Sequence, residues 1–185
     1  MPTSYDDDEN NGLASGQRSP GGEDRLRQRR RWDLFFMDIA KRASGMSKDP
    51  TTKVGALVVQ NRRILATGFN GLPEGVDDSD ERLNDRPRKR QMMVHAEANA
   101  VASAAKNGTA IRGAWLYLWT WDCVRGAPWG GPPCPQCMGL LINSGIHRVI
   151  YHPMGEVTPA WHKDFPGLSI EMAEESGVAA LEWVL

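Results

Sequence analysis

Cysteine is scarce in this chain, with Cys123, Cys134 and Cys137 the three instances in 185 residues. So few, and an odd number, exclude a disulfide-stapled scaffold and direct attention to metal binding or thiol chemistry. No apolar run approaches the roughly 18 residues that a membrane-spanning helix needs. The N-terminus also lacks the apolar core of a signal peptide. The expectation is a cytoplasmic protein with no membrane partner. Neither sign of charge is in excess: 22 Lys and Arg face 23 Asp and Glu, for a net charge of −1. That balance removes any general electrostatic case for a nucleic-acid partner. Internal repeats are absent. What is present, 41% hydrophobic residues with seven tryptophans, suits one well-filled domain and is short for two.

Residues 1–22 are rich in Asp, Asn, Gly and Ser without hydrophobic periodicity, and are expected to form a disordered tail. The domain is expected to run from 23 to 185. The run R-L-R-Q-R-R-R at 25–31 reads as a solvated helix start, its field muted by Asp6, Asp7, Asp8, Glu9, Glu23 and Asp24. From Trp32, apolar residues recur at helical spacing as far as Ala43, and Ser44-Gly45 closes that helix. V-G-A-L-V-V (54–59) and the run from Ile64 to Phe69, joined at Asn61-Arg62, predict a hairpin. Residues 71–91 show no clear element, and a loop of that length is often functional. A helix is expected over about 96–106, a strand over 115–120, a helix over 135–144 and a strand over 147–151. One or two short helices and an apolar stretch, 179–185, complete an α/β layered pattern with helices covering a central sheet.

Two short stretches carry chemistry. In V-H-A-E-A-N-A-V (94–101), His95 and Glu97 stand at the threshold of an alanine-rich helix, and neither belongs in a core without a partner. In P-P-C-P-Q-C-M-G (132–139), a C-x-x-C opens a helix, where unpaired amides favour thiolates. Alone, that dithiol could be a redox pair. With His95 it supplies one imidazole and two thiolates, leaving one tetrahedral position open, as in a catalytic zinc site. H-x-E…P-C-x-x-C is the signature of the zinc-dependent nucleobase deaminases. Zinc held this way lowers the pKa of water from about 15.7 to near 7. Glu97, close to the metal without binding it, would take the water proton and deliver it to N3 of a cytosine and then to the departing amine. The competing structural reading makes Cys123 a fourth ligand, which would leave Glu97 without a task; a free thiol is the plainer role. His147, His152 and His162 lack ligand spacing, and Met92-Met93 reads as core filling.

The chain resembles the deoxycytidylate (dCMP) deaminase family. S-K-D-P-T-T-K-V-G-A-L-V-V (47–59) looks like the family's first strand and its lead-in, and G-F-N-G-L-P-E-G (68–75) looks like its G-Y-N-G-x-P-x-G loop. H-A-E-A-N-A-V matches H-A-E-x-N-A-I, and S-G-I-H-R-V-I (144–150) resembles the strand after the cysteine helix. The resemblance covers about 32–152 and implies a three-layer α-β-α sandwich with a five-stranded mixed sheet. It implies hydrolysis of dCMP to dUMP, with His95, Cys134 and Cys137 as zinc ligands and Glu97 as the catalytic acid and base. It implies substrate contacts from Asn70 and the backbone of Ala96. It also implies a homo-oligomer, often a hexamer, and an effector site near Gly71 and Gly75 that takes dCTP with Mg2+, or dTTP. No Cys or His precedes His95, so one zinc per subunit is expected. Two segments depart from the family: an insertion at 122–132, at the rim of the expected pocket, and the basic D-R-P-R-K-R at 85–90. A phosphate role falls to 85–90 or Arg125 without singling out a residue. The alternatives are deamination of dCTP or a 5-substituted dCMP, a nucleic-acid base deaminase, and a silent nucleotide-binding subunit.

Overall fold

The computed structural model describes residues 20–155 and 166–182. The expected tail falls outside it for 1–19, as do His162 and the last three residues of 179–185. The first helix, α1 (Pro20–Ser44), starts earlier than the periodicity indicates and takes in 20–22. It is followed by β1 (Thr52–Gln60) and β2 (Arg63–Phe69). The two strands pair antiparallel across Asn61-Arg62, both at positive φ of 51° and 62°, the conformation that a two-residue hairpin turn of this hand requires. The 71–91 segment is not structureless, as the sequence suggested. It contains α2 (Asp80–Asn84) and α3 (Arg86–Met92). Both are too short for apolar periodicity to register, and their signals are local. Asp85 caps α3 by accepting from the Arg88 amide at 3.3 Å, and a proline occupies its first turn.

Then come α4 (Ala96–Lys106), β3 (Trp115–Asp122), α5 (Pro135–Asn143), β4 (Arg148–Tyr151), α6 (Pro166–Ser176) and β5 (Ala179–Glu182). The sheet order is β2-β1-β3-β4-β5, with antiparallel pairing from β2 to β3 and parallel pairing from β3 to β5. Strand alternation builds the layers. Leu57, Val59, Tyr117 and Trp119 face α1, where they meet Phe36, Met37 and Ala40. Ala56, Val58, Leu116 and Leu118 face the other way, into Ala100, Ala104, Met138 and Leu141 of α4 and α5. The result is a three-layer α-β-α sandwich on a mixed five-stranded sheet. On the α1 side, Tyr117 also donates from its hydroxyl to Asp33 at 2.6 Å, so that face is locked by a polar contact as well as by packing.

The alanines of α4 allow it to lie unusually close to the sheet. A Cβ at Gly68 of β2 would stand 2.2 Å from the Ala96 carbonyl oxygen and 2.4 Å from the Ala100 amide nitrogen. Only glycine permits that approach. Asn99 reinforces it by donating to the Phe69 carbonyl at 2.8 Å. The N-terminus of α4 is therefore fixed against the sheet before any ligand is considered.

Candidate active site

His95 is the N-cap residue of α4 and Cys134 the N-cap residue of α5, while Cys137 lies in the first turn of α5. The fold brings these two helix starts together. His95 Nδ1 lies 3.5 Å from Cys134 Sγ and 3.4 Å from Cys137 Sγ, and the three donor atoms all fall within 4.8 Å of one another. A tetrahedral zinc with bonds of about 2.0 Å to nitrogen and 2.3 Å to sulfur sets its N and S donors about 3.6 Å apart. The residues present therefore fit zinc, in spacing and in donor type. Glu97 does not join the cluster. Neither does Cys123, which follows β3 as a half-buried thiol and donates its amide to the Thr51 carbonyl.

Protons are divided unevenly among the three donors: the bond to Cys134 and burial push the Cys137 thiol up while Cys134 is held down, so zinc would displace protons from Cys137 and His95. The Cys134 thiol is held down to about 4, chiefly by a hydrogen bond from the Cys137 thiol and further by His95, against the opposing effect of burial. A thiolate is the form that binds zinc. His95 is raised to about 9, mainly by its bond to Cys134. Glu97 is 4% exposed, and burial pushes its carboxyl above the ordinary range, against the opposing pull of His95.

A cavity of about 310 Å³ opens beside these groups, lined by His95, Ala96, Glu97 and Cys134 at the donor cluster and by Asn70, Thr120 and Trp129 along its walls. Pockets for small ligands begin at about 300 Å³. Asn70 lines it, but its amide is already engaged. It accepts from the Val54 amide at 2.8 Å and donates to the Thr52 carbonyl at 2.9 Å, clamping the start of β1. Gly71 and Gly75 lie outside the lining. Gly71 pairs with Val94 through two backbone hydrogen bonds and so steadies the approach to His95. The loop of Gly75 is tied to α4 by an ion pair between Glu74 and Lys106.

Three contributions were not read from the sequence. Trp129, within the 122–132 insertion, is 5% exposed and forms part of the wall. Its loop is anchored where the Gly130 amide donates to Thr120 Oγ1 at 2.8 Å and the Gly131 amide to the His152 carbonyl at 2.8 Å. A Cβ at Gly130, which has φ +64°, would stand 1.8 Å from the Pro153 carbonyl oxygen. Met93, read as core filling, lines the cavity instead. Asp49 and Lys89 line it as a buried ion pair. An aromatic in a Gly/Pro loop and an Asp-Pro lead-in were the signals available for the first and the last. Of the basic candidates, Arg86, Lys89 and Arg90 border the cavity; Arg125 does not, and pairs with Asp122 at 2.7 Å.

The zinc-binding region of cytidine and deoxycytidylate deaminases matches residues 30–153. The human deoxycytidylate deaminase is 32% identical over 140 residues, covering 70% of this chain and 71% of that protein. The deoxycytidylate deaminase of Mycobacterium phage D29 is 35% identical over 132 residues, covering 65% and 93%. Among solved structures, the apo dCMP deaminase of cyanophage S-TIM5 superposes with a TM-score of 0.57 at 26% identity, over 82% of this chain and 96% of that one. The chain belongs to the cytidine and deoxycytidylate deaminase family.

Proposed function

We propose that the protein is a zinc-dependent hydrolase that deaminates dCMP to dUMP, within a single domain spanning 23–185. The observation that carries this reading is the His95, Cys134 and Cys137 cluster, with buried Glu97 outside the donor set, beside a cavity of about 310 Å³ that His95, Glu97 and Cys134 help to line. The names of the relatives point to the same substrate.

His95, Cys134 and Cys137 would hold the metal. Zinc, when bound, supplies the Lewis acidity that brings water ionisation near neutral pH. The chain's own part falls chiefly to Glu97. Its carboxylate takes a proton from the water that attacks C4 of the cytosine ring, places it on N3, and returns a proton to the amino group, which leaves as ammonia. Water gains the C4 bond that the amine loses, so dCMP and water become dUMP and ammonia. Burial of Glu97 suits that shuttle, because a carboxyl held above its ordinary range takes up a proton more readily than an exposed carboxylate. Ala96, fully buried and lining the cavity, offers its backbone to the pyrimidine edge.

The testing experiment is ammonia release by the zinc-loaded protein from dCMP, CMP, dCTP, 5-methyl-dCMP, deoxycytidine and cytosine in single-stranded DNA. Preferred turnover of dCMP is expected. Turnover of none of them overturns the reading. Trp129 supports one variant of it: a wall built by an insertion could select at C5, in which case 5-methyl-dCMP would outrun dCMP. With the main reading go a cytoplasmic setting, a homo-oligomer that is a hexamer by resemblance, and a response to dCTP with Mg2+ or to dTTP through the Gly71–Gly75 loop. Family resemblance is what supports these, and repeating the assay with each effector tests the last.

A further inference from the structure

Helix α3 is held in place in an unusual way. Its buried residue is a lysine: Lys89 is 6% exposed, while Arg86, Arg88 and Arg90 around it are exposed. Lys89 reaches from α3 to the lead-in of β1, where its Nζ lies 2.9 Å from Asp49 Oδ1 and 3.2 Å from Thr51 Oγ1. Asp49, 5% exposed, is the hub of that lead-in. The same Oδ1 accepts from the Thr51 amide at 2.8 Å, the Thr51 hydroxyl at 2.8 Å and the Thr52 amide at 3.1 Å. Burial raises the Asp49 carboxyl, and these donors together with Lys89 outweigh it, holding the group below its ordinary value.

A buried ion pair is an inefficient way to anchor a seven-residue helix, since an apolar residue of similar size would serve stability as well or better. What the pair provides beyond stability is charge placed beside a ligand cavity. Arg86, Lys89 and Arg90 stand at i, i+3 and i+4 on α3, and all three line the cavity together with Asp49. Lys89 pairs with Asp49, so Arg86 and Arg90 line the cavity with that carboxylate already neutralised. Two positive charges match a phosphate monoester, which carries about −1.5 to −2 near neutral pH. Guanidinium groups also suit its oxygens geometrically.

We propose that Asp49 and Lys89 are positioning residues whose buried pair pins α3, so that Arg86 and Arg90 receive the 5′-phosphate of a nucleoside monophosphate and select it over the nucleoside. This rests on the deamination reading for its substrate, and adds the residues that discriminate.

The test compares zinc-loaded wild type with Arg86→Ala/Arg90→Ala, Lys89→Met, Asp49→Asn and Lys89→Arg. Two quantities are read for each: the ratio of kcat/KM for dCMP to that for deoxycytidine, and the ratio of affinities for dUMP and deoxyuridine. The double arginine variant is expected to lower both ratios at least about tenfold, the cost of one or two charge-assisted bonds. Lys89→Met and Asp49→Asn should lower them in the same direction, through KM rather than kcat, and Lys89→Arg should restore part of the loss. Ratios that stay at the wild-type value in the double arginine variant overturn the proposal. So do ratios that stay constant in Lys89→Met and Asp49→Asn while both substrates weaken equally, which is the mark of a purely structural pair. The arginines are exposed, so their variant remains informative if the buried substitutions fail to fold. A wild type that releases no ammonia defeats the deamination reading, and the dUMP and deoxyuridine affinities still decide the role of α3.

Discussion

Glu97 and Asp49 are both buried carboxyls lining one cavity, and their surroundings drive them in opposite directions. Glu97 is raised because burial outweighs its neighbours; Asp49 is lowered because its donors outweigh burial. The first difference bears on turnover. Glu97→Ala should keep the fold and about one zinc per chain while kcat falls by about 10²- to 10⁴-fold, the usual contribution of a positioned acid–base group. Steady-state ammonia release beside metal analysis checks it, and retained turnover would remove Glu97 from the mechanism. The second difference bears on stability. A carboxyl with a lowered folded pKa contributes stability that is fully present above its unfolded pKa of about 3.9 and is lost as pH falls through the folded value. In the presence of chelator, the urea midpoint of wild type should drop more between pH 6 and pH 3 than that of Asp49→Asn. Equal slopes would show that the pair carries no linkage. The chemical residues were the most legible part of the sequence, because a histidine, a nearby carboxylate and a C-x-x-C at helix starts meet together the needs of a metal and of a proton carrier. Asp49 and Lys89 were not legible: a charged pair 40 residues apart has no periodicity, and each alone reads as surface.

At the level of elements, α4 and α5 present the donors, and the close seat of α4 on β2 sets where His95 stands. Gly68→Ala would press a methyl group into the α4 backbone. The expected cost is about 1–3 kcal/mol from overpacking, with turnover falling as the helix start moves away from α5. Chemical denaturation and ammonia release together test this; an unchanged stability would mean that α4 yields without strain. The longer elements were visible in the sequence because β1, β3, α4 and α5 carry continuous apolar runs or small-residue periodicity bounded by turn residues. The short helices α2 and α3 were missed. Five and seven residues give no stripe, and α3 is placed by a salt bridge and a cap rather than by a hydrophobic face. The 122–132 insertion was placed at the pocket rim, where Trp129 does line the cavity, but nothing in a Gly/Pro-rich string says which of its residues turns inward.

For the whole molecule, the three-layer arrangement places both helix starts at one end of the sheet and leaves the cavity between them. One zinc per chain is expected by elemental analysis of the purified protein, with His95→Ala and Cys134→Ser both abolishing it. Chelation should lower stability. At a thousandfold excess of free metal over its dissociation constant, binding contributes about 4 kcal/mol, a shift of order 10 °C in Tm for a domain of this size. A Tm unmoved by chelator would mean that the cluster does not hold metal tightly. Among the described residues no helix is long and apolar enough to cross a membrane, as the absence of long apolar runs indicated.

The two halves of the donor cluster lie 39 and 42 positions apart along the chain, and the segment between them contains β3, the strand bonded on both sides at the centre of the sheet. An ion gripping both halves is therefore also a cross-link. Closing a loop of that length removes conformational freedom from the unfolded chain worth about 4 kcal/mol if the link is permanent. With zinc bound, the machinery for chemistry would double as a reversible staple. Its release would relax the stretch from Cys123 to Pro132 ahead of the rest. Limited proteolysis after chelation should cut first there and leave the Asn61-Arg62 hairpin intact.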